Sequence, residues 1–109
     1  MYKAVGVWTW PRPEDEQAFE EHYVNVHVRT ADAVPGVERL TLMKAGDTGR
    51  DSGIYRVAEM YFPDEEAFAE AADSEGWAGM VADATAMIER FGVELKAAHG
   101  WESENPGSD

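Results

Sequence analysis

Apolar and polar positions alternate with period two from Tyr2 to Trp10: Val5, Val7 and Thr9 interleave with Ala4, Gly6, Trp8 and Trp10. That is the spacing of a β-strand. From Asp15 the period lengthens. Phe19, Tyr23 and His27 step by four, which places them on one stripe of a helix expected to run to Ala33. Pro35-Gly36 ends it, because the residue before a proline avoids the helical region and glycine accepts a turn. Strand patterns return over Val37–Ala45 and Ile54–Phe62, joined by GDTGRDSG (Gly46–Gly53), a run of turn formers expected as an exposed hairpin loop. A second helical region spans Asp64 to Glu89 with a break around Asp73–Gly79, and a fourth strand covers Phe91–His99. These elements form one domain over residues 1–101, and ESENPGSD (102–109) reads as a polar tail.

The order of elements contains a repeat. DEQAFEE (Asp15–Glu21) returns as DEEAFAE (Asp64–Glu70), and each copy follows an aromatic strand and a proline, VWTWPRP in the first case and MYFP in the second. Asp15 and Asp64 are placed to cap their helices, acidic first turns suit the positive end of the helix dipole, and Phe19 and Phe68 then face the core. Two such units predict β-α-β-β-α-β, a ferredoxin-like α+β fold with a four-stranded antiparallel sheet. With helices on one face only, the other face should be polar. Strands one and three have no plainly water-facing side, so a second copy packing sheet on sheet is expected, giving a homodimer whose sheets enclose a cavity.

Composition narrows the roles. Nine basic against 22 acidic residues give a net charge of −13, which repels phosphate backbones and anionic lipid, so neither nucleic acid nor membrane is expected as a partner. The absence of cysteine excludes disulfides, thiolate nucleophiles and cysteine metal sites. The N-terminus has strand alternation and no signal-peptide pattern, so the chain is expected in the cytoplasm.

Candidate chemistry centres on the first helix. His22 and His27 are five apart, about 140° around an α-helix, so they should not meet. His22, beside Glu20 and Glu21, is expected on the solvated face. His27 is the candidate acid or base, with an ordinary core histidine bonded to a backbone carbonyl as the alternative. Glu59 sits mid-strand, where glutamate is depleted; it is expected either to face the cavity and assist His27, or to pair with Arg56, Arg39 or a lysine of a second copy. Tyr23 or Tyr61 could donate to a developing oxyanion, and Trp8, Tyr61, Trp77 and Met80 are candidate walls for a flat apolar ligand. Nucleotide, phosphate-loop, zinc-protease and serine-hydrolase signatures are all missing. No cofactor and no metal are expected.

Two stretches resemble the EthD-type family: FEEHYVNVHVRTADAVPGVERL, an aromatic first helix ending in histidine before Pro-Gly, and VAEMYFPDEEAF, a glutamate-bearing strand leading into the second helix. The resemblance covers residues 2–95 and implies the dimeric α+β barrel built from ferredoxin-like subunits. It implies roles in ether degradation or natural-product pathways, among folds that include lactone isomerases and cofactor-free monooxygenases. Where relatives continue His-x-Pro-Leu this chain reads HVRTAD (His27–Asp32), which predicts a first helix without a proline kink. The expected activity is cofactor-independent proton transfer (an isomerase, cyclase or monooxygenase-like reaction) on a small hydrophobic or aromatic metabolite. The alternatives are a dimer that only holds a ligand, and a barrel filled by its own side chains.

Overall fold

A computed structural model describes residues 1–105 of the chain; the last four residues of the expected tail lie outside them. Strand β1 (Tyr2–Thr9) lies inside a four-stranded sheet of order β2-β3-β1-β4, with β2 (Arg39–Lys44), β3 (Ile54–Phe62) and β4 (Leu95–Trp101). All neighbours are antiparallel, with Gly6 opposite Ala58 on one side and Ala97 on the other. The fold is the expected ferredoxin-like α+β arrangement, and β3 has the boundaries its alternation predicts.

Two helical layers cover one face. The first comprises α1 (Glu16–His22), a five-residue π-helical turn (Tyr23–His27) and α2 (Val28–Asp32), preceded by a 3-10 turn at Pro13–Asp15. The second comprises α3 (Glu65–Ala72) and α4 (Glu75–Phe91). Asp64 caps α3 by accepting from the Ala67 N–H at 2.8 Å, and Ser74 caps α4 by accepting from the Trp77 N–H. Asp15 makes no side-chain cap and instead binds Arg12. The expected fourth strand starts too early. Phe91 is the last helical residue, because Gly92 takes the left-handed conformation that stops α4, and the strand begins at Leu95.

The period of two sorts the sheet's residues onto its faces. Tyr2, Ala4, Gly6, Trp8, Ala58, Met60 and Phe62 face the helices, in contact with two apolar clusters. One is built on Trp8, Phe19, Tyr23, Met87 and Phe91, the other on Tyr2, Phe62, Phe68 and Ala71. The opposite face carries the alternate residues, Val5, Val7, Val57 and Tyr61 among them, together with the Lys3–Glu59 ion pair at 3.0 Å. Trp8 thus belongs to the helix side of the sheet. Between Trp8 and Thr9 the β1–β3 register slips, leaving Tyr55 as an extra residue on β3. The bulge lets neighbouring Tyr55 and Arg56 both reach Glu20 of α1.

Candidate active site

A cavity of about 290 Å³ lies between the sheet and the helices of a single chain. It lies on the opposite side of the sheet from the cavity expected between two facing sheets. Its floor is the row Ala58–Gly6–Ala97 across β3, β1 and β4, where the shortest side chains leave open space over the sheet. Val28, Ala31, Met80, Val81 and Ile88 descend from the helices to form the roof. Trp8, Tyr23 and His27 line it as well, as do Met60 and Trp77.

One imidazole stands in this apolar setting. His27 is 9% exposed, and its Nδ1 lies 2.8 Å from Asp83 Oδ2 on α4. His22 reaches the same carboxylate, its Nε2 at 2.9 Å from Oδ1 and 3.1 Å from Oδ2. His22 is therefore neither a purely solvated residue nor remote from His27. The reason is local. In the π turn the Val28 N–H donates to the Tyr23 carbonyl, five residues back, so residues five apart come into line where an α-helix would separate them. The helix runs on past His27 without a proline kink, but it is not regular.

Burial pushes the His27 imidazole below its ordinary pKa, and the Asp83 carboxylate only partly opposes that. An ionised carboxylate only accepts hydrogen bonds, so neutral His27 carries its proton on Nδ1. Its Nε2 has no protein partner among the described residues. Aromatic rings hold the imidazole in place: Tyr23 stacks on it at 5.9 Å, Phe19 stacks on Tyr23 at 5.8 Å, and Trp8 meets His27 edge-on at 5.3 Å. The Phe19–Tyr23–His27 stripe is thus a continuous ring ladder. The Tyr23 hydroxyl is buried with no hydrogen-bond partner among the described residues, so in this conformation it donates to nothing in the cavity.

The expected pairing of Glu59 with His27 does not occur. Glu59 and Tyr61 project from the face of β3 that Ala58 and Met60 do not, so the sheet separates them from the cavity. Glu59 binds Lys3, Thr41 and Tyr61, and the Lys3 ammonium holds its carboxyl below the usual range. Tyr61 is covered by Lys3 and Arg39 on that opposite face. Of the four expected wall residues, Trp8, Trp77 and Met80 line the cavity and Tyr61 does not.

Asp83 is the residue that sequence reasoning missed, although it carried a signal: an aspartate, a weak helix former, in the middle of the apolar run MVADATAMI. A second unexpected cluster lies nearby, where Glu20 accepts from the Tyr55 hydroxyl at 2.8 Å and from the Arg56 guanidinium. Among the described residues no group of three or more histidine, cysteine or acidic side chains is disposed to hold a metal ion. No helix among them is long and apolar enough to cross a membrane.

A four-stranded ferredoxin-like sheet with helices on one face places the chain among small α+β proteins. The EthD domain model matches residues 11–90, and the chain belongs to the EthD family. An EthD-family protein from Bacillus halodurans superposes with a TM-score of 0.80 at 26% identity, covering 94% of this chain and 99% of that one. HapK from Hahella chejuensis superposes at 0.67 with 19% identity, over 100% of this chain and 99% of its own. SnoaB, a cofactor-independent oxygenase from Streptomyces nogalater, superposes at 0.62 with 19% identity, over 98% and 97%. An uncharacterised 11.0 kDa protein from the thcB–thcC intergenic region of Rhodococcus erythropolis is 33% identical over 63 residues, 57% of this chain and 59% of that protein.

Proposed function

We propose that the chain is a cofactor-independent enzyme that removes a proton from a small, flat, apolar metabolite, with His27 as the base. The supporting observation is the orientation of His27. Asp83 engages Nδ1, so the lone pair of Nε2 is available in a cavity lined mainly by apolar side chains. The floor of alanine and glycine suits a planar ring lying over the sheet, and Trp8 and Trp77 supply aromatic walls. Asp83 takes the orienting role that the sequence assigned to Glu59. SnoaB's description as a cofactor-independent oxygenase is consistent with chemistry of this type on a related fold. A homodimer formed through the open sheet face in the cytoplasm completes the reading.

The sealed Tyr23 hydroxyl favours a second reading, because that phenol is then not placed to donate to a developing oxyanion. On that reading the protein only holds its ligand. Deuterium exchange at C1 of 2-tetralone, followed by NMR in D₂O, separates the two. Base catalysis breaks the C1–H bond, the electron pair delocalises into the enolate, and a solvent deuteron returns to C1. The wild type should accelerate exchange over buffer, and His27→Gln should lose at least tenfold of that acceleration while still binding the ketone. The rate should hold on the acid side of about 6.5, the ordinary histidine value, because burial keeps His27 neutral there. Binding without accelerated exchange in the wild type assigns the chain to ligand holding.

A further inference from the structure

We propose that His22 is a positioning residue for the His27 base, acting through Asp83. The inference rests on the reading of His27 as the proton acceptor and adds the group that fixes which of its nitrogens is free. Asp83 comes from α4, while both histidines come from the first helical layer. Its carboxylate is the meeting point of the two layers, with His22 Nε2 within 3.1 Å of both oxygens and His27 Nδ1 on Oδ2.

A carboxylate held only by His27 could turn about its terminal torsion and offer either oxygen at several angles. The His22 N–H, spread over both oxygens, removes that freedom. Held this way, Asp83 accepts from His27 Nδ1 and leaves Nε2 bare. The arrangement grades outward: the side chains are 11% exposed at His27, 16% at Asp83 and 22% at His22. His22 thus anchors the pair from the solvent side without entering the cavity. The charged or titratable groups set against the His27 ring are Asp83 and His22, with the buried Tyr23 ring stacked beside them. The five-residue spacing works only through the π turn, which gives that distortion a purpose: it lets one helix present two imidazoles to one carboxylate.

Ring ¹⁵N NMR on the free protein tests this. In the wild type His22 should be protonated at Nε2 and His27 at Nδ1, each as a single tautomer. His22→Leu should move the two His27 ring nitrogens toward averaged shifts, and His22→Gln, whose amide N–H still donates, should restore the single tautomer. A merely space-filling His22 would leave His27 unchanged in the leucine variant, and that result, or failure of glutamine to rescue, overturns the proposal. If the leucine variant does not fold, the wild-type spectrum decides: His22 protonated at Nδ1 with a bare Nε2 also overturns it. Because no substrate is involved, absent tetralone exchange would defeat the base assignment while leaving the tautomer result standing.

Discussion

Gly76 holds α4 against the end of the first helical layer: a methyl group there would lie 2.9 Å from the Ala33 carbonyl oxygen and 3.4 Å from the Val34 Cα. Both are backbone atoms, which cannot swing aside as a side-chain tip does. Gly76→Ala should therefore destabilise the fold by about 1–3 kcal/mol, the usual cost of overpacking, despite alanine's better helix propensity. Urea unfolding checks this, and an unchanged midpoint would mean that the 33–34 segment yields freely. Such contacts cannot be read from the chain, where Gly76 looks like part of a helix break. Asp83 and Glu59 are the same kind of case. Each is a carboxylate in an apolar stretch and each is visible as an anomaly, but which one meets His27 depends on the packing of α4 and on the pleat of β3.

At the scale of elements, α1 is clamped to the bulge in β3. Burial alone would raise the Glu20 pKa, but the Arg56 and Tyr55 hydrogen bonds outweigh it and hold the carboxylate below its ordinary value. A group depressed in this way adds stability that is full above its unfolded value and is lost as pH falls through the folded one. Glu20→Gln leaves the 9%-exposed Arg56 without its countercharge. The expected loss near neutral pH is about 1–3 kcal/mol, between the values for exposed and buried pairs. Thermal melts of both proteins should converge as pH drops below about 4.5, where the unfolded glutamate protonates; parallel curves would show that the clamp is not ionic. The strands and both helical regions were legible because period two and period four persist whatever packs on them. The π turn was not, since a single inserted backbone step leaves the stripe of Phe19, Tyr23 and His27 looking like an ordinary helix.

For the molecule as a whole, the open sheet face mixes Val5, Val7, Val57 and the half-exposed Met43 with charged Lys3 and Glu59. That face is too apolar for a solvated sheet, and a second copy is the partner proposed for it. Val7→Lys, which puts an ammonium beside Val57 at its centre, should convert a dimer into a monomer in sedimentation velocity without moving the cavity or its histidine. A monomeric wild type would remove the sheet-to-sheet dimer. The chain by itself determined the element order, the duplicated strand–helix unit, the aromatic stripe and His27 as the residue to watch, because local periodicity and turn chemistry act over a few neighbouring residues. Only the tertiary structure decided that the cavity lies under the helices, that Asp83 rather than Glu59 stands behind His27, and that His22 joins them. Those outcomes depend on which faces of distant elements meet, and on a helix distortion that brings residues five apart onto one side.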